Sequence, residues 1–241
     1  MSILKIKKFI AFSLFSFLMP ATALGGDLLL KSFGHSSFLV KGDGQTILLN
    51  PYDNVDCASH LNKPWNVKFD FILASSRLAD EGYNPNNKLM FVDPGSYQFN
   101  EIILNGIAVP HDRFERRRFG MATIWVWEQS NLKIVHMGGS AGQLDLNDKI
   151  LLSNPDILFI SIGGGDKSYN GQEAAEIVKV LNPKIVIPVH FLSDKENNPT
   201  CEFSNADDFL DNMSNFDVQY VGNRFSINPN KIEKDIIYIF K

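Results

Sequence analysis

Five histidines, His35, His60, His111, His136 and His190, and the adjacent acids Asp80 and Glu81 are the residue types in this chain best suited to metal ligation and proton transfer. Four of the histidines stand at or near the ends of apolar, β-favouring runs: His35 after Phe33-Gly34, His111 after Val109-Pro110, His136 near the end of 133–137, and His190 after Pro188-Val189. One such histidine is ordinarily a hydrogen-bonded structural residue. Four of them, with Asp80 in a loop behind a further apolar run, predict a shared pocket at one edge of the sheets. The loop's acids suit metal or acid–base chemistry because a strand end fixes where the loop sits.

Other constellations are weaker. Gly138-Gly139-Ser140-Ala141-Gly142 matches the G-x-S-x-G nucleophile elbow, with Asp166 and His190 in hydrolase order, but residues 143–148 lack the helical stripe that must follow the serine. Gly163-Gly164-Gly165 lacks the lysine and hydroxyl of a phosphate loop and reads as a strand-to-loop break. Arg116-Arg117-Arg118 reads as a solvated loop, with a clamp for an anionic substrate as the sharper alternative.

The elements that must position these residues can be traced along the chain. Residues 28–33, 37–40 and 46–49 read as strands, the last two joined by Gly42-Asp43-Gly44, a turn in which glycine accepts positive φ. The Pro-, Asn-, Asp- and Ser-containing stretch 50–68 reads as a loop. Phe69, Phe71, Ile72 and Leu73 suit a buried strand that empties into the Asp80–Glu81 loop. Further strands are predicted over 89–92, 102–109, 123–127 and 133–137. The pattern then changes to strand 157–162, an amphipathic helix over 172–181 with Ala174, Ile177, Val178 and Leu181 in one stripe, a stop at Asn182-Pro183, and strand 185–189. A last helix capped by Ser204, with Phe209, Leu210 and Met213 on its apolar face, and strands 218–221 and 236–240 follow. Strands first and strand–helix–strand later predict packed sheets with helices on the outer faces, an α+β domain over 26–241.

The chain's 241 residues, 44% of them hydrophobic, suffice for one sizeable core and are few for two domains. A net charge of −4 gives no basic excess to draw nucleic acid. At the N-terminus Lys5, Lys7 and Lys8 precede an apolar run over 9–19 and then Pro20, Ala21, Thr22, Ala23, Leu24 and Gly25, the order of a cleavable secretory signal over 1–25. That run, about 11 residues, is well short of the roughly 20 that span a bilayer, so no stable membrane anchor is expected after cleavage. The expected product is periplasmic or secreted, with a charge near −7 once the three lysines leave. Cys57 and Cys201, the only cysteines, could pair in an oxidising compartment or remain separate thiols.

The chain resembles the metallo-β-lactamase superfamily, in particular its branch of small metal-dependent hydrolases that includes sugar-lactone hydrolases. The resemblance rests on Phe33-Gly34-His35-Ser36-Ser37-Phe38 with residues 46–51, where Asn50 stands for the usual acid; on Val109-Pro110-His111-Asp112; on His136-Met137-Gly138-Gly139; and above all on residues 183–190 ending in His190. It implies a four-layer αββα sandwich with a dinuclear metal site at the rim of the two sheets. In the branch's His-x-His-x-Asp-His loop, Ser76 and Leu78 replace the leading histidines, Asp80 is kept, Glu81 replaces the closing histidine, and Gly139 stands at the bridging aspartate. The ligands that the resemblance leaves are Asp80, His111 and His190, with Glu81 as an oxygen substitute.

Because disturbing even a residue behind the ligands typically costs 10–100-fold in metal affinity, a tight dinuclear zinc site is not expected. The first expectation is an exported protein whose dinuclear hydrolytic centre is largely lost, binding an unidentified small molecule in a pocket lined by His35, Asp80, His111, His136 and His190. The alternative is a mononuclear metal-dependent hydrolase of lactones, esters or phosphate esters, with Asp80, Glu81, His111 and His190 as ligands, Asp80 in the catalytic position, and zinc as the foremost choice of one divalent ion.

Overall fold

The computed structural model describes residues 26–61, 63–64, 66–192 and 201–241. The expected signal over 1–25 lies outside the described residues. The elements are β1 (Leu28–Gly34), β2 (Ser37–Gly42), β3 (Gln45–Leu49), β4 (Phe71–Leu73), β5 (Met90–Phe91), β6 (Gly95–Phe99), β7 (Ile102–Pro110), β8 (Met121–Gln129), β9 (Leu132–His136), α1 (Leu146–Leu152), β10 (Ile157–Ser161), α2 (Gly171–Leu181), β11 (Ile185–Val189), α3 (Asp207–Asp211), β12 (Asp217–Val221), β13 (Arg224–Ile227) and β14 (Ile236–Phe240).

They form two mixed sheets, one ordered β13-β1-β2-β3-β4-β5 and the other β12-β14-β11-β10-β9-β8-β7-β6. Apolar residues at alternate positions of both sheets, among them Leu28, Leu30, Phe71, Leu73, Trp125, Trp127, Phe159 and Ile187, meet in one core between them. The opposite face of the larger sheet buries Val135, Leu158, Ile160, Val186 and Ile237 under Ala174, Val178 and Leu181 of α2 and Phe209 of α3. Strands β10 and β11 are therefore buried on both faces, which is why 157–161 and 185–189 read as almost unbroken apolar runs. The architecture is the α+β sandwich of two sheets and few helices that the sequence predicts.

Topology brings the candidate residues to one rim. Strands β7 and β9 are each antiparallel to β8, and β9, β10 and β11 are mutually parallel, so all four end at the same edge. That edge is where open α/β sheets place ligands. Hydrogen bonds join the two sheets there: His190 N–H donates to His35 C=O (2.8 Å), Thr123 N–H to Ser75 C=O (2.8 Å), and the Trp125 indole to Ala74 C=O (2.8 Å).

Several elements differ from the sequence reading. Helix α1 begins inside the stretch 143–148 read as lacking a helical stripe and runs on past it; its Leu146, Ile150 and Leu151 face outward, and a capping box between Asp145 and Asp148 defines its start. The last helix starts at Asp207 after Ala206, with no side-chain cap, rather than at Ser204. Strands β6 and β13 have no counterpart in the sequence pattern. Both are edge strands with mostly exposed or half-buried residues, so neither has the apolar alternation of a covered strand.

Candidate metal centre

The rim gathers side chains from five separate segments. His35 lies in the β1–β2 turn, with a left-handed φ of 55°. Asp80 and Glu81 follow β4, His111 follows β7, Lys167 lies in the loop between β10 and α2, and His190 follows β11 with φ 56°. One ligand atom each from His35, Asp80 and His190 lies within 4.8 Å of the others. His35 and His190 meet edge to face with ring centroids 4.1 Å apart, and Phe203 covers His190 at 4.4 Å.

Glu81 is fully buried beside this triad. Its Oε2 accepts hydrogen bonds from the Ser75 and Ser76 hydroxyls, both 3.0 Å, and lies 3.3 Å from His111 Nε2. Asn50 extends the network: its amide donates to Ser75 Oγ (2.7 Å) and its carbonyl accepts from Ser75 N–H (2.8 Å). Ser76 thus helps to anchor the Glu81 carboxylate. A β-carbon on Gly139 would lie 1.8 Å from Glu81 Oε1 and 3.2 Å from His190 Cε1. The Glu81 carboxylate therefore fills the space that a side chain at 139 would take, facing the His190 ring.

The electrostatics follow from burial and pairing. Burial alone would raise the Glu81 carboxyl, but the charge of His111 and its hydrogen bond, with the Lys167 ammonium nearby, more than offset it and hold the group well below the carboxylate range. Burial works against the His111 proton, yet the Glu81 carboxylate raises the imidazole above its ordinary value. Burial and the neighbouring His35 keep His190 well below that value, so its ring is neutral at physiological pH. Burial brings His136 down to about 4; it lies at the end of β9 with Nε2 3.3 Å from Ser36 C=O.

The structure thus joins His35, Asp80 and His190 in one cluster and pairs Glu81 with His111 beside it, whereas the sequence groups Asp80, Glu81, His111 and His190 as ligands. His136 is fully buried against Phe159 and outside the triad, and His60 is exposed. Ser140 is fully buried. Of the arginine run, Arg118 pairs with Asp166 and Arg117 donates to Phe114 C=O at 2.9 Å on an exposed loop. That loop is shaped by Asp112, whose carboxylate accepts from the N–H groups of Phe114, Arg118 and Phe119. Sequence reasoning missed Lys167, whose ammonium is ion-paired to Asp80 and lies 5.2 Å over the Phe119 ring. No motif marks it, because only the fold brings residues 87 apart together.

The donor set of the triad fits a divalent cation. Among the described residues neither ring nitrogen of His190 has a hydrogen-bond partner, nor does Glu81 Oε1, although all three atoms are buried. Buried polar atoms are otherwise almost always paired, and a neutral imidazole beside a carboxylate is a normal ligand pair for a divalent ion.

A model of the beta-lactamase superfamily domain matches residues 29–190. A UPF0173 protein of Pyrococcus furiosus is 25% identical over 189 residues, covering 69% of this chain and 84% of the relative. Among solved structures, a proposed Zn-dependent hydrolase of the metallo-β-lactamase superfamily from Thermotoga maritima superposes with a TM-score of 0.69 at 23% identity, over 88% of this chain and 98% of that one. A proposed metal-dependent hydrolase from Parabacteroides distasonis gives 0.57 at 14% identity, over 78% and 93%. The two structures share the fold, and the family match takes in His35, Asp80, Glu81, His111, His136, Gly139 and His190. The chain belongs to the beta-lactamase superfamily domain family, whose model matches about two thirds of its length.

Proposed function

We propose that this protein has lost the dinuclear centre and kept a mononuclear one, in which His35, Asp80 and His190 hold a single divalent ion for hydrolysis of a lactone, ester or phosphate ester. The observation that carries this reading is the convergence of those three ligands within 4.8 Å around an imidazole whose two buried nitrogens have no partner among the described residues. A bound ion there would polarise the substrate oxygen or lower the pKa of a water. Glu81, ionised and fixed through Oε2, presents Oε1 toward His190, where it would accept a hydrogen bond from a water or substrate group held at the cluster. His111 holds a proton against Glu81 and keeps that carboxylate oriented. Phe203 packs on His190 of the cluster, and Phe119 lies beside His111. The apolar signal-like N-terminus and the Cys57–Cys201 disulfide support export to an oxidising compartment.

A second reading, a binding protein that uses no ion, is favoured by one observation, the Lys167 ammonium already paired with Asp80. Metal analysis after reconstitution separates the two. One tightly held equivalent of zinc, manganese or iron, lost in His190→Ala and Asp80→Ala, is expected; a chain that takes up none would leave the second reading.

A further inference from the structure

We propose that Lys167 is an internal counter-cation that competes with the metal ion for Asp80 and thereby sets the affinity of the centre; this rests on the one-ion reading above. The ammonium is ion-paired to Asp80, one of the three clustered ligands, and the pair is largely shielded from water, with side-chain exposures of 17% and 9%. The backbone around Lys167 is pinned on both sides. Arg113 donates to the carbonyls of Gly165 (2.8 Å) and Ser168 (3.0 Å), its own N–H donates to Asp166 C=O (3.2 Å), and Arg118 pairs with the Asp166 side chain. Gly164 and Gly165, at φ 78° and 77°, make the tight approach to this loop.

With its backbone held, movement is left to the Lys167 side chain, whose ammonium lies against both the Asp80 carboxylate and the face of Phe119, 5.2 Å away. A divalent ion arriving at His35, Asp80 and His190 displaces the ammonium from Asp80 toward that ring. Without the ion, Lys167 neutralises a buried carboxylate whose charge would otherwise be costly. The ion and the ammonium are alternative occupants of one negative position, so the ion's affinity is lowered by the stability of the ion pair it breaks.

Zinc and manganese titrations by calorimetry, with melting temperatures of the metal-free forms, test this on wild type, Lys167→Met, Lys167→Gln, Lys167→Arg and His190→Ala. Lys167→Met should bind the ion on the order of 10–100-fold more tightly, the scale set by a residue acting on a ligand. Its metal-free form should melt lower than wild type, and its gain in melting temperature on adding zinc should be larger. Lys167→Arg should retain the wild-type affinity or bind more weakly. If Lys167→Met does not fold, Lys167→Gln, which removes the charge and keeps a polar tip, carries the comparison. Wild type and the charge-removing variants binding one equivalent equally well would overturn the competition and leave the one-ion reading intact. Binding by none of the five proteins would overturn both.

Discussion

At the scale of single residues the centre turns on where carboxylates sit. Glu81 occupies the space beside Gly139, so the two positions are coupled although they lie in different segments. Gly139→Ala forces a β-carbon to within 1.8 Å of Glu81 Oε1 and should destabilise by about 1–3 kcal/mol, the usual cost of overpacking. Combining it with Glu81→Ala should give a loss smaller than the sum of the two single changes, measured by denaturant unfolding. His136 gives a pH prediction. Its folded value of about 4 lies below the ordinary 6.5, so between those values the unfolded chain binds the extra proton and stability rises with pH. Melting temperature measured across that window should climb less steeply in His136→Gln than in wild type; an unchanged slope would place the pH dependence elsewhere. Asp80, His111 and His190 stand out in the sequence as ligand types, the histidines just beyond strand ends and Asp80 in the loop after β4. The Glu81–Gly139 and Lys167–Asp80 contacts do not, because no local pattern encodes a contact between separate segments.

At the scale of elements the clearest case is α1. Its exposed Leu146, Ile150 and Leu151 leave Leu152 as its only buried residue, so packing contributes little to it. The reciprocal bonds of the capping box, Asp148 N–H to Asp145 (2.8 Å) and Asp145 N–H to Asp148 (3.0 Å), define its N-terminus instead. Asp145→Ala should cost about 1 kcal/mol and raise amide exchange in 146–152 before it affects the sheets. The contrast with α2 is instructive. That helix has both a capping box, between Asn170 and Glu173, and a buried stripe through Ala174, Val178 and Leu181, and its period is plain in the sequence. The covered strands are legible for the same reason. Burial imposes an apolar pattern on β10, β11 and β14, whereas β6 and β13 are sheet edges on which no such demand falls.

At the scale of the whole molecule, the Cys57–Cys201 disulfide ties the loop after β3 to the segment after β11 across 144 residues. In the chain-entropy account a closure of that length is worth about 5 kcal/mol. Two residues beyond Cys201, Phe203 packs on His190 (4.4 Å between centroids) and His35 (5.8 Å). Reduction, or the pair Cys57→Ser with Cys201→Ser, should therefore lower both the melting temperature and the zinc affinity. Loss of stability with affinity unchanged would show that the cover over His190 does not depend on the bridge. By itself the sequence determined the two-sheet α+β architecture and the strand-end positions of the histidines, because periodicity, turn chemistry and residue type are local properties. Only the tertiary structure decided that the two cysteines pair, that His35 joins Asp80 and His190 while Glu81 turns to His111, and that a lysine reaches the same carboxylate as a metal ion would. Those outcomes depend on side-chain direction across segments far apart in the chain, which the folded rim sets and no single stretch contains.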